Sequence, residues 1–319
     1  RCRAGGFSET IKWGKQSGKQ RYKCKNCGVL SSNTNKSVKS NNELIWFQKW
    51  ILERLTYRYL IVDSGYSKST LERKFKSYLQ NAPAFQIKSH DNAHLVVDGT
   101  YFKGNLCMVL YYDYDIKYCQ FYRFTTKESY TEIKEDIQNI LSLGIQIKSI
   151  TCDGHPSIIK SINDACPDII IQRCLVHIQR EANIWLRRKP VIQCSIDLKG
   201  IVNKLHLVKN SNDRVYWINL FIKWYDQNKS YINEQNINLE TGRKWFKHKD
   251  LRRTAIMIKR AIPNMFHYIE NPQIPNNTNS IESFFGHLKD TLSIHRGLTP
   301  NNKKSFIRWY LYFKNTTRN

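Results

Sequence analysis

His94-Leu-Val-Val-Asp-Gly-Thr-Tyr-Phe102 is an apolar run whose aliphatic part ends on an acid and a glycine. Such a run, rich in β-branched and aromatic residues, reads as a strand, with the acid where the aliphatic stretch gives out. Strand-like runs follow at Leu106 to Tyr112 and Lys117 to Thr126, joined by short polar turns, which predicts an antiparallel meander. Ile133, Ile137, Ile140 and Leu141 then recur at helical spacing within Tyr130 to Leu143. A strand at Ile145 to Cys152 repeats the opening pattern, because Ser149-Ile-Thr-Cys-Asp-Gly154 again ends an apolar run on an acid and a glycine. A helix near Ser157 to Ala165 and an isoleucine strand at Ile169 to Ile171 complete the segment.

Three strands, helix, strand, helix, strand is the element order of a ribonuclease-H-like mixed five-stranded sheet, whose first and fourth strands are neighbours. That adjacency brings Asp98 and Asp153 to one sheet edge, where two hard carboxylate ligands suit Mg²⁺ or Mn²⁺. A two-ion site needs a third carboxylate. Glu282, in Thr278-Asn-Ser-Ile-Glu-Ser-Phe-Phe-Gly-His-Leu-Lys289, opens an amphipathic helix suited to lie against the sheet. Each acid alone has a plainer reading, since Asp-Gly is an ordinary turn pair and Glu near a helix start an ordinary cap.

With 41% hydrophobic and 13% aromatic residues, a chain of 319 residues fills real cores in two or three domains. Wholesale disorder is excluded. Its apolar runs fall far short of the ~18 residues of a membrane span, so it reads as soluble and intracellular, with no membrane partner. Fifty-one Lys and Arg against 26 Asp and Glu leave a net charge of +25. A surplus that large calls for a polyanion, nucleic acid above all. Nine cysteines, an odd number, do not form a secreted disulfide framework. Cys107, Cys119, Cys152, Cys166 and Cys194 read as small buried hydrophobes.

Positive charge concentrates in the front end, where residues 1–90 hold 18 Lys and Arg against 5 Asp and Glu. Residues 1–35 contain the phrase KWGKQSGKQRYKCKNCG at Lys12 to Gly28, and Cys24-x-x-Cys27 has the spacing of a zinc knuckle. Cys2 lies 22 residues before Cys24, so Cys2, Cys24 and Cys27 are expected to supply three Zn²⁺ ligands of a ribbon, the fourth being replaced or lying before Arg1. Residues 40–82 read as three helices: one through Leu44, Phe47, Ile51 and Leu55, a short one from Tyr57 to Val62, and one from Lys68 to Leu79. Leu71, Phe75, Tyr78 and Leu79 form the apolar face of the third, with Ser69 and Glu72 as its capping box. This is a helix-turn-helix layout in which Lys68, Ser69, Arg73 and Lys76 face DNA. Ala82-Pro83-Ala84 then breaks the pattern as a hinge.

Residues 90–319 form the third domain, with an all-α insertion over about 178–275. Within it Leu251, Ala255, Ile258 and Ile262 share one helical face, leaving Arg253 and Arg260 on the other to grip DNA backbone or to stay solvated. Trp185, Trp217, Trp224 and Trp245 read as core anchors. Cys174-Leu-Val-His177 carries metal-capable residues without a second pair, so Cys174 and His177 are assigned a site-orienting role. Arg173 beside them is a candidate phosphate contact.

Taken together, the KWGKxxGxQRYxCxxCG phrase, the helix-turn-helix, Asp98-Gly-Thr-Tyr, Cys152-Asp-Gly, Cys174-x-x-His177 and the Glu282 phrase resemble transposases of the Mutator-related bacterial insertion sequences, in the variant with an N-terminal zinc-binding module. Intervals of 55 residues from Asp98 to Asp153 and 129 to Glu282 suit that family. The resemblance implies a DDE triad of Asp98, Asp153 and Glu282 and a Mg²⁺-dependent enzyme that cleaves element ends and transfers the freed 3′-hydroxyl to target DNA. It implies double-stranded DNA and a second copy of the chain as partners, in a bacterial, cytoplasmic, nucleoid-associated setting. A transposase-derived DNA-binding protein without catalysis is the alternative, and a ribonuclease-H-like nuclease a third reading.

Overall fold

The computed structural model describes residues 9–32 and 36–317, which divide into two compact units at Tyr78/Leu79. In the first unit β1 (Thr10–Gln16), β2 (Lys19–Cys24) and β3 (Leu30–Ser32) form an antiparallel sheet. Three helices follow: α1 (Lys36–Leu52), α2 (Tyr57–Ser64) and α3 (Lys68–Gln80). Their core is aromatic, with Phe47 and Trp50 of α1 lying 5.3 and 5.1 Å from Phe75 of α3, ring centre to ring centre. Gly65 ends α2 at φ +68°, the left-handed conformation in which a glycine carries no Cβ penalty.

Two local expectations change here. Leu44 is exposed and Leu55 lies beyond the end of α1, because that helix stops at Leu52 and Arg54 turns to positive φ. The cap of α3 is Ser67, whose Oγ accepts from the Thr70 amide at 3.3 Å, so Ser69 already lies inside the helix. Lys68, Ser69, Arg73 and Lys76 are all exposed, opposite buried Leu71 and Phe75.

The second unit is built on a five-stranded mixed sheet of β4 (Ala93–Phe102), β5 (Leu106–Asp113), β6 (Tyr118–Thr125), β7 (Ile147–Cys152) and β8 (Ile170–Arg173), in spatial order β6-β5-β4-β7-β8. The first three strands are antiparallel neighbours, while β7 and β8 run parallel to β4. This arrangement is consistent with a ribonuclease-H-like core. Helices α4 (Tyr130–Ser142) and α5 (Pro156–Ala165) place Ile133, Ile137, Ile158 and Ile162 against Leu95, Val97 and Ile150 on one face. Period-two alternation therefore turns Val96 and Asp98 to the opposite face. Every residue of β5 is buried, as befits a strand covered on both sides.

From β8 the chain enters a largely helical insertion: α6 (Leu175–Trp185), α7 (Gln193–Asn203), α8 (Ser211–Ile232), α9 (Lys249–Ala261) and α10 (His267–Glu270). Its own core centres on Trp217, Phe221 and Trp224. The expectation of an all-α insertion is corrected by a two-stranded hairpin, β9 (Gln235–Ile237) paired with β10 (Lys244–Phe246). Asn238 accepts from the amides of Glu240 and Thr241, and Gly242 takes φ +69°, a side-chain-stabilised turn that replaces a helical one. Trp245 stands on this hairpin at 47% exposure and Trp185 is half-buried, so neither is a core anchor. The last segment is two helices, α11 (Asn279–Ile294) and α12 (Pro300–Thr316), broken where Thr299 and Pro300 start a new one. Phe284 of α11 meets Tyr112 of β5, and the Asn315 amide of α12 bonds both backbone groups of Cys119 in β6. These two helices thus cover the sheet face that carries Asp98.

Candidate active site

Val96 of β4 pairs with Thr151 of β7, an offset that carried two residues further sets Asp98 beside Asp153. Neighbouring strands lie about 4.8 Å apart, so the two carboxylates emerge together where β7 ends. Backbone bonds bring the start of α11 to the same place: Thr151 Oγ1 donates to the Pro275 carbonyl at 2.7 Å, and the Leu175 amide to that of Asn276 at 2.9 Å. Thr278, fully buried, has its hydroxyl 3.4 Å from Cys174 Sγ, 3.3 Å from His177 Nδ1 and 3.3 Å from Glu282 Oε1.

Glu282 thereby reaches the edge, but its carboxylate is already engaged. Arg180 donates to Oε2 at 3.0 Å and His177 Nε2 lies 3.6 Å from Oε1. Burial pushes its pKa up, yet the Arg180 hydrogen bond and charge outweigh this and hold it below the usual value. Hydrogen bonding to Cys174, then the charges of Asp98 and Glu282, raise His177 to about 9. Burial opposes ionisation of Cys174, but its hydrogen bonds with His177 and Thr278 lower it overall. The charges of both Asp98 and Glu282 thus act on His177, and Cys174, whose Sγ caps α6, fixes the start of its helix.

Glu128, between β6 and α4, is an acid that the sequence reading passed over. Its Oε1 occupies the space a Cβ on Gly99 would need, 1.7 Å from that position, beside Asp98. Burial and then the charge of Asp153 raise its pKa. Burial likewise pushes Asp98 up to about 7, with Asp153 and Glu128 adding to the rise and His177 opposing it. No pattern in Lys127-Glu-Ser-Tyr130 distinguishes Glu128 from an acid at a helix start, because its neighbours at the edge are distant in sequence.

Asp98, Asp153 and Glu128, neighbours at one edge and with the pKa of Asp98 raised to about 7, offer hard-oxygen donors whose charge a divalent cation would relieve. The residues fit such an ion. Among the described residues, the group whose ligand-type atoms all lie within 4.8 Å of one another is His90, Asp113 and Asp115, nearer the start of β4, and no three acids of the Asp98 edge converge that closely. That group is accounted for by hydrogen bonds: Asp113 accepts from His90, Gln120 and two backbone amides, and Asp115 from the His94 amide. In the first unit Cys24 and Cys27 flank a tight turn closed by the Gly28 amide on the Cys24 carbonyl at 3.0 Å, while Cys2 lies outside the described residues. Arg253 and Arg260 are exposed on α9 as expected, but the Arg253 guanidinium lies over the Trp185 ring at 3.8 Å.

Fold and edge together define a mixed α/β protein with an acidic centre where β7 ends beside the middle of β4. Residues 123–241, from β6 into the insertion, match the family described as Transposase, Mutator family. A comparison with curated proteins gave no match. No helix among the described residues is long and apolar enough to cross a membrane.

Two tests of the edge follow from this geometry. An acid whose folded pKa exceeds its unfolded value contributes stability at low pH that is lost as pH rises toward the folded value, so the ion-free edge is least favourable above about 7. Mg²⁺ or Mn²⁺ should therefore raise the melting temperature more at about pH 8 than at about pH 5, since binding displaces protons. Equal stabilisation at both, or the same response in Asp98→Asn, would remove ion binding from this edge. Second, Gly99→Ala should displace the flexible end of Glu128 at a stability cost of about 1 kcal/mol or less, yet weaken the response to Mg²⁺. Glu128→Gln should do the same, and an unchanged Mg²⁺ titration in both variants would exclude Glu128 from the site.

Proposed function

We propose that the protein is a DNA transposase that binds the ends of a mobile element, cleaves them in a Mg²⁺-dependent reaction and transfers the freed 3′-hydroxyl to target DNA. The observation that carries this reading is the meeting of Asp98 and Asp153 at one edge, with Glu282 3.6 Å from His177, whose charge also acts on Asp98. Asp98, Asp153 and Glu282 would hold the divalent ions, with Glu128 as a further oxygen donor. Such ions activate an attacking oxygen and stabilise the leaving oxygen of a phosphodiester. The protein's own groups do the positioning. Thr278 and Cys174 set the His177 ring, while Arg180 and His177 neutralise Glu282 and prevent acidic repulsion from pushing it off the edge.

The family match over residues 123–241 supports the assignment, and the net charge of +25 supports a DNA partner. Lys68, Ser69, Arg73 and Lys76 on α3 would read the element ends, and Arg253 and Arg260 on α9 would hold backbone. Cys24 and Cys27, with Cys2, would ligate Zn²⁺. Two ends must be held at once, which favours a homodimer working on bacterial DNA in the cytoplasm.

Labelled DNA carrying the inverted repeats around the reading frame tests the proposal. A transposase cuts at the repeat boundary in Mg²⁺, a DNA-binding derivative shifts the DNA without cutting, and a general nuclease cuts regardless of the repeat. Either of the last two outcomes overturns it.

A further inference from the structure

We infer that Arg173, together with the first turn of α5, is a receptor for a backbone phosphate of the DNA bound at the acidic edge. Arg173 closes β8 opposite Cys152, one residue before Asp153, and is only 6% exposed. Its Nε is enclosed and has no acceptor, and its guanidinium makes no hydrogen bond or ion pair with any described residue. Arginines nearby behave differently. Arg123 is held by Asp136 and Glu135 at 2.6 and 2.7 Å, and Arg180 by Glu282 at 3.0 Å. A guanidinium keeps its charge in a protein, so one that is buried without a counter-anion is a site whose anion comes from elsewhere.

The surroundings specify that anion. The guanidinium lies against Gly154, where an added Cβ would fall 1.6 Å from Nε and 1.8 Å from Cζ, and Gly154 itself takes φ +85°. Space for Arg173 thus exists because residue 154 has no side chain. The same loop leads into α5, whose N-cap His155 makes no side-chain capping bond and whose first turn holds Pro156 and no acid. The dipole of a helix start favours negative charge, and the Ser157 amide is the donor left for it, since the His155 amide is taken by Asp153, Pro156 has none, and those of Ile158 and Ile159 bond the His155 carbonyl. Asp153 Oδ1 accepts from the His155 amide at 2.9 Å, so a single loop carries both a carboxylate of the site and the anion receptor. A phosphodiester oxygen pair matches the planar guanidinium fork. On the reading that this edge processes DNA, the phosphate so held lies beside the one that is cut, and Arg173 is a positioning residue.

The test uses the full chain and inverted-repeat duplexes in which single phosphates near the cleavage boundary are replaced by neutral methylphosphonates. In the wild type one position should weaken binding about tenfold, the loss of a charge-assisted hydrogen bond. In Arg173→Gln that position should no longer matter, and the slope of log affinity against log salt should fall by about 1. Arg173→Lys, which keeps the charge and loses the fork, should retain the slope but halve the effect at that position or more, and it carries the test if the Gln variant does not fold. A wild-type scan without a sensitive position, or the same scan in a folded variant, overturns the proposal. Stabilisation of the wild type by inorganic phosphate without any effect in the scan would assign a small-anion site and also overturn it. These are binding measurements, so the contact can stand even if cleavage at the edge fails, and cleavage can stand if the contact fails.

Discussion

Asp98→Asn is expected to abolish Mg²⁺-dependent strand cleavage, by about 10³-fold or more, while leaving binding of element-end DNA close to wild type. The substitution is nearly isosteric and removes one charge from an edge that already carries Asp153 and Glu128 beside it. Folding should not suffer. The carboxylate it replaces is held up near 7 by burial, so the ion-free protein gains from its removal above that pH and loses little below it. One hydrogen bond is at stake, the Gly99 amide to Asp98 Oδ1 at 2.9 Å, and the Asn carbonyl oxygen can accept it. Binding is expected to survive because the exposed basic residues of α3 and α9 are elsewhere in the chain. A gel-shift titration and a cleavage time course on the same preparation separate the two effects. Cleavage at wild-type rates would take Asp98 out of the mechanism.

Trp217→Ala is expected to cost about 4 kcal/mol, the range for deleting a large buried aromatic side chain. Trp217 is 2% exposed in the core of the insertion, its ring lies 6.1 Å from Phe221 and 5.7 Å from Phe266, and its Nε1 donates to the Ile201 carbonyl at 2.9 Å. Substitution leaves a cavity and removes the indole bond to a carbonyl that still accepts from the Lys204 amide. Chemical denaturation with fluorescence detection reads the loss directly, and limited proteolysis should cut first within the insertion. Trp245→Ala on the exposed hairpin is the control, with an expected change within about 0.5 kcal/mol. Equal losses from the two tryptophans would mean that the insertion does not depend on the Trp217 core.

The insertion is joined to the site by few but specific bonds. Gln172 Nε2 in β8 donates to the Met265 carbonyl at 2.8 Å, and α6, whose start carries His177 and Arg180, packs its other residues into the insertion core. The groups that hold Glu282 therefore stand on a helix anchored outside the sheet.

What the sequence alone determined was local in origin. Strand and helix periods, the acid that follows β7 and the opening of a helix near Glu282 are set by residues within a few positions of one another, and the structure follows them, while Asp98 falls inside β4, which runs on to Phe102. The tertiary structure alone decided which groups from remote segments share the edge. Glu128 arrives there because Gly99 leaves room for its carboxylate, Arg173 is enclosed because Gly154 does the same, and Glu282 is held by a helix that begins more than a hundred residues earlier. The β9–β10 hairpin is the exception, since its turn is set locally by Asn238 and Gly242. Burial and charge pairing depend on what packs from across the fold, and no period along the chain encodes a neighbour that packing supplies.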